Sequence, residues 1–227
     1  MELQTLVDDS PTVRKLKALL PDDLKSGTEN LPMAKISQPR SSKDSVRGRL
    51  CFAYAALAAL ETKGITPNVD IKGKTLNQEE FEDFLVGKNQ FSSGGGASTA
   101  FRQLGRSPTE IVTYTTDNEG NPTTPTKHAT DARDLIQNAM ENNLPLTAGL
   151  RWTTMTKNGK KSGNHWVYVV GASGNNLYIR DQQNNHLSGI VDMETWEGIS
   201  VDKKFAYTIT KLATSSSRQI QNKEDIK

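Results

Sequence analysis

One cysteine in 227 residues is too few for an internal disulfide, so the fold must stand without one, and a reducing compartment is favoured. Charge of either sign is not in excess. Lys plus Arg number 28 against 26 Asp plus Glu, a net charge of +2, which leaves no electrostatic footprint for nucleic acid. No basic stripe interleaved with aromatics appears either. No run approaches the roughly 18 apolar residues of a membrane-spanning helix. The opening MELQTLVDDSPTVRKLKALL is acidic and polar where a secretory signal would be basic and then apolar. The expectation is a cytoplasmic chain, or one delivered to a host cytosol by a specialised route as a bacterial effector would be.

What is present is concentrated. Hydrophobic residues make up only 34% but fall in a few runs, enough for a real core. Residues 1–44 read as an N-terminal extension: a short amphipathic helix (Val13, Leu16, Leu19, Leu20), then a segment punctuated by Pro21, Gly27, Pro32 and Pro39. CFAYAALAAL, from Cys51 to Leu60, is built of helix formers and is apolar on every face, which predicts a helix inside the domain, ended by Gly64. TLNQEEFEDFLVG (75–87) carries a capping-box pattern, Thr75 with Gln78, and predicts a second helix. FSSGGGASTAFRQLG (91–105) predicts a glycine loop entering a third short helix, and DARDLIQNAMENNLP (131–145) a fourth. Strand-like IVTYTT and a polar turn, DNEGNPTTPT, lie between them.

The texture then changes. LTAGLRW (146–152), NHWVYVVGAS (164–173), NNLYIRD (175–181) and KFAYTITKL (204–212) are β-branched, aromatic and joined by short turns, an antiparallel signature. SSSRQIQNKEDIK (215–227) reads as a frayed tail. Helices first and strands second predict an α+β fold in two halves, about 45–145 and 146–214.

Cys51 opens the buried helix, where the partial positive charge of a helix N-terminus favours a thiolate. A thiol nucleophile also needs a base to take its proton. Of the three histidines, His128 lies in a polar loop and His186 in a turn, whereas His165 enters an apolar strand. Asp181 ends the next strand, where a hairpin can set it beside His165 as the group that orients the imidazole. Singly, a buried cysteine, a strand histidine and a strand-end aspartate are ordinary structural residues. Together, in this order, they point to a Cys-His-Asp triad.

Through most of residues 45–212 the chain resembles the papain-like cysteine proteases (peptidase C1-like). RGRLCFAYAALAALE resembles that family's nucleophile helix and TLNQEEFEDFL its "LSEQELVDC" helix. SGGGASTAF resembles "GCNGG…AF" with Gly94 and Gly95 in place. DLIQNAMENNLPLTAGL resembles the passage into the second lobe, NHWVYVVG the "NHAVxVVG" strand, and YIRDQ stands where "KNSWG" would be. The resemblance implies a papain-like two-lobe α+β fold, with a helical left lobe, an antiparallel β right lobe and the active cleft between them. It implies a thiol protease with Cys51 as nucleophile, His165 as base and acid, and Asp181 in place of the usual asparagine. Gly94, Gly95 and Gly96 read equally as a flexible loop or, with Asn164 and Trp166, as a wall of the substrate cleft. Trp152, Trp166 and Trp196 suit the core or the cleft rim. No cofactor or metal is implied, and the partner is a protein or peptide substrate, with no nucleic acid or membrane.

Three departures qualify the likeness. Ser45 holds the position of the family's oxyanion glutamine, with Arg47 and Arg49 as nearby substitute donors. Gln182 and Gln183 replace the tryptophan that shields the histidine, which predicts a wetter pair. Residues 1–44 are too short for the usual inhibitory propeptide. Two other functions stay open: a glutamine deamidase or transglutaminase-like enzyme with the same triad, and a degenerate protease kept as a binding module, which Ser45 favours.

Overall fold

The computed structural model of the chain describes residues 10–19, 33–35, 50–65, 70–71, 74–75, 96–183 and 187–219. Ahead of the main sheet run α1 (Pro11–Leu19), α2 (Cys51–Thr62), the two-residue strands β1 (Asp70–Ile71) and β2 (Lys74–Thr75), and α3 (Ala97–Gln103). β3 (Arg106–Val112), the small hairpin β4 (Tyr114–Thr116) with β5 (Pro122–Pro125), and α4 (Ala129–Glu141) follow. The helix expected over 75–87 lies outside the described residues.

Six strands then follow one another: β6 (Leu146–Thr156), β7 (Gly159–Ser173), β8 (Asn176–Arg180), β9 (Gly189–Asp192), β10 (Glu197–Ser200) and β11 (Ala206–Gln219). Each pairs antiparallel with the next, and β11 also pairs with β6, so the ring closes. The result is a six-stranded up-and-down barrel, which leaves few free edges. β10 takes one edge of β11 over residues 206–208, and β3 takes that same side from Lys211 onward.

The barrel overturns the two-lobe α+β reading. β3, assigned from sequence to the helical half, is a strand of the barrel's own sheet. The helices are short and lie against that sheet rather than forming a separate lobe. The apolar face of α4 (Ala132, Leu135, Ile136, Ala139) shares one cluster with Leu146, Leu150, Val167, Val169, Ile179 and Tyr207. The cluster of α2 and α3 likewise includes Ala213 of β11. What the sequence hid are β9 and β10. Four residues each, both with a glycine, they show no readable alternation, yet they complete the ring. A Cβ on Gly198 would collide with the Tyr207 ring and with the Ile190 carbonyl, so β10 approaches its neighbours only because the side chain is missing there.

Other expectations meet the structure more directly. α2 is buried from Phe52 through Leu60, as a helix apolar on all faces must be, and packs on β7 and α3. Val13 and Leu16 of α1 are buried against Ile190, Ile199 and Ala206. β11 runs to Gln219, into the stretch read as a frayed tail. Arg106, 7% exposed, explains why: its Nε donates to Ser215 Oγ at 3.0 Å and its Nη2 to the Ser216 carbonyl at 2.7 Å. Among the described residues no helix is long and apolar enough to cross a membrane.

Candidate active site

Cys51 is the first residue of α2 and is half-buried. The carbonyl of Leu50, the residue before it, accepts from the amides of Ala53 (2.9 Å) and Tyr54 (3.1 Å), which winds the first turn. No acidic side chain sits in that turn, and no side chain caps it. The N–H groups at the start of an α-helix have no partner within the helix. The Cys51 amide is therefore free to face whatever lies at the helix mouth.

β7 delivers His165. Along this strand Trp166, Tyr168 and Val170 lie on the side of α2, while Val167 and Val169 belong to the barrel cluster. His165 continues the Val167–Val169 row, opposite Leu150 of β6. Arg180 at the end of β8 pairs with Tyr168, so Asp181 leaves the strand level with Val167 and diagonal to His165. That diagonal is within reach of an imidazole and a carboxylate. His165 Nε2 lies 2.9 Å from Asp181 Oδ1, with the two residues 8% and 4% exposed.

Asp181 is held in turn. The Gln183 amide donates to its Oδ1 at 2.8 Å and the Leu187 amide to its Oδ2 at 3.3 Å, while its own amide donates to Ser188 Oγ at 2.9 Å. Both oxygens of a buried carboxylate are thus satisfied, as burial demands.

The His165 ring has a second close neighbour, the Cys51 sulfur, which favours the protonated imidazole. With Nε2 taken by Asp181, Nδ1 is the ring nitrogen left to exchange a proton with the sulfur. Burial works against a charged imidazole. The hydrogen bond to Asp181, the nearness of the Cys51 sulfur and the negative charge of each outweigh it, raising the His165 pKa from 6.5 to about 10. A proton on this ring is thus strongly favoured.

Gln182 lies inside this arrangement, 4% exposed. The tryptophan that would shield the pair is indeed missing, but the wetness expected from its loss is not found. The Gln182 side chain is buried, and its Nε2 donates to the Cys51 carbonyl at 3.1 Å and to the Trp166 carbonyl at 2.8 Å. In the sequence it is legible only as a substitution; nothing there marks its partners. Ser188 and Leu187 carried no signal at all.

The remaining candidates are placed as follows. Asn164 is exposed and points to the opposite side of β7 from His165, where Arg151 Nη1 donates to its Oδ1 at 3.5 Å. Trp166 is half-buried, its indole packed where Cβ atoms on Gly96 and Gly149 would come within 3.2 and 3.1 Å. Gly96, Trp166 and Gly149 therefore form one wall, and Asn164 lies two residues before Trp166 on the same face of β7, beside Arg151. Ser45, Arg47, Arg49, Gly94, Gly95 and His186 lie outside the described residues. His128 precedes α4 at the surface, its Nδ1 2.7 Å from Asp131 Oδ2. Among the described residues no group of three or more His, Cys, Asp or Glu is placed to hold a metal ion.

No family model matches the chain, and no curated protein matches it. Among solved structures it is similar to the crystal structure of a proposed C39-like peptidase from Bacillus anthracis, at 16% identity and a TM-score of 0.39. That match covers 84% of this chain and 96% of the other. At that degree of likeness it carries no argument about fold or activity.

Proposed function

We propose that the chain is a cysteine-dependent hydrolase of peptide or amide bonds, with Cys51 as nucleophile, His165 as acid and base, and Asp181 as the orienting group. One observation carries the reading: a single buried imidazole is bonded to a carboxylate through one nitrogen and lies close enough to the lone thiol to be influenced by it. Structural cysteines have no need of that arrangement; a nucleophile does.

The chemistry follows from the geometry. Cys51 Sγ, its proton transferred to His165 Nδ1, attacks the carbonyl carbon of the substrate. Negative charge moves to the carbonyl oxygen, for which the Cys51 amide at the helix mouth is a donor. Ser45, Arg47 and Arg49 are proposed as sources of a second donor. His165 then passes its proton to the departing nitrogen as the C–N bond breaks, leaving a thioester on Cys51. Water attacks the thioester, His165 takes a proton from it, and the acid product leaves with the thiol restored. Asp181 stabilises the imidazolium in both halves and keeps Nδ1 turned toward sulfur. The wall of Gly96 and Trp166 is proposed to face the substrate backbone. One thiol and no disulfide suit work in a reducing compartment.

The experiment is digestion of a denatured-protein peptide mixture by the purified chain and by Cys51→Ala and His165→Ala variants, read by mass spectrometry. Cleaved peptides that vanish with either variant support a protease. A gain of about one dalton on intact peptides, equally lost in the variants, places the same thiol chemistry on side-chain amides. Products unchanged by Cys51→Ala would overturn the proposal.

A further inference from the structure

We propose that Gln182 is a positioning residue: its side-chain amide is a clip that sets the separation of the Cys51 sulfur and the His165 ring. The inference rests on the hydrolase reading above and adds to it a residue that touches neither substrate nor the reacting atoms.

Three stretches must meet for the site to exist: the middle of β7, the turn after β8 one hairpin away, and the start of α2, which is more than a hundred residues distant in the chain. No disulfide joins them. The start of α2 has no side-chain cap, and Ala58 and Ala59 pack on Tyr168 and Val170 of β7 through apolar contact, which resists sliding poorly. Gln182 supplies directional bonds at that place. A side-chain amide carries two N–H donors. Here Nε2 has two acceptors, the carbonyl of Cys51 itself and the carbonyl of Trp166, next to His165. The backbone of Gln182 is in turn continuous with Asp181, which grips the far nitrogen of the imidazole. One planar group therefore ties the backbone carrying the sulfur to the strand carrying the base, from a residue adjacent to the orienting carboxylate. Misplacement of reacting groups by about 1 Å costs on the order of 10²-fold in rate, so such a clip has a kinetic consequence.

Both acceptors are carbonyl oxygens, so the clip works only as a donor. An ionised glutamate of the same shape would present oxygen to oxygen and push the two stretches apart. Protonated, it regains one donor. A methionine has the same length and no donor at all. These differences separate a donor clip from mere space-filling.

The test is the rate of iodoacetamide alkylation of Cys51 from pH 5 to 9 in the wild type and in Gln182→Met, Gln182→Glu and His165→Ala variants, with near-ultraviolet circular dichroism to establish folding. The expected result is alkylation at neutral pH slowed about tenfold or more in both Gln182 variants. The rate of Gln182→Glu relative to Gln182→Met should rise toward acid pH, as the glutamate regains its proton. If one variant fails to fold, the other read against wild type still decides the point. Wild-type rates and pH profile in a folded Gln182 variant, with alkylation altered in His165→Ala, would overturn the clip alone. Identical alkylation in wild type and His165→Ala would overturn the hydrolase reading, and the clip with it.

Discussion

His165 Nε2 and Asp181 Oδ1 are 2.9 Å apart, and both side chains are almost wholly removed from solvent. Burial makes the pair consequential. A buried carboxylate and imidazole each cost free energy to desolvate, and each is tolerable only while the other is present.

Asp181→Ala should therefore leave an imidazole that burial keeps neutral, and turnover should fall by about 10²- to 10⁴-fold. Asp181→Asn is subtler. Its amide retains one acceptor, but the new N–H₂ must face a donor, because imidazole and the Gln183 and Leu187 amides all donate to the carboxylate now present. A loss of about 1–3 kcal/mol in stability is expected on top of the catalytic loss. Urea denaturation beside kinetic assays checks both.

The pH dependence has a definite sign. The folded-state pKa of His165, about 10, lies above its ordinary 6.5, so between those values the folded protein binds the extra proton. Stability from this group is fully present below about pH 6.5 and declines as pH rises toward about 10. The falling slope should be shallower in His165→Ala. Chemical denaturation at a series of pH values measures it, and a slope unchanged by the substitution would count against the pair.

Gly198→Ala tests closure of the barrel. The added methyl meets the Tyr207 ring and the Ile190 carbonyl, so β10 must move away from β9 or β11. A cost of about 1–3 kcal/mol, typical of overpacking, is expected and is measurable by thermal melting. Hydrogen exchange should quicken first in β9 and β10.

Truncation after Thr214 separates a frayed tail from a working strand. It removes Ser215 and Ser216, the partners of the nearly buried Arg106 guanidinium, and the last register of β3 on β11. The expected loss is about 2–4 kcal/mol, since hydrogen bonds to charged groups are worth more than neutral ones. A melting temperature within a degree of the full chain would contradict it.

Leu60, fully buried in α2, gives a calibration away from the site. Leu60→Ala should cost about 2–5 kcal/mol by transfer and cavity terms. In a folded sample at low temperature it should leave the pH profile of Cys51 alkylation unchanged.

Much of this molecule was legible one element at a time. The apolar run after Cys51 could only be a buried helix. β6 to β8 announced themselves through β-branched residues broken by short turns. The nearness of Asp181 to His165 is also local, since one hairpin separates them. The arrangement of those elements was not legible. β9 and β10 are four residues long, and their glycines erase the alternation that marks a strand. Without them the strands read as an open lobe beside a helical one, and β3 was assigned to the wrong side. Gln182 was visible only as a residue standing where a tryptophan might; its acceptors are main-chain carbonyls, which look the same in every sequence.

The sequence by itself determined the settings of the reactive groups: a thiol at the start of an apolar helix, an imidazole entering a strand, a carboxylate one hairpin away. Those settings depend on periodicity, turns and helix termini, all forces acting over a few residues. Only the tertiary structure decided that the strands close on themselves, that the helices lie on one barrel, and that an amide from position 182 joins the backbones of Cys51 and Trp166. Closure and convergence depend on contacts between residues far apart in the chain, where a missing Cβ or a single N–H decides the approach and local pattern carries no trace of it.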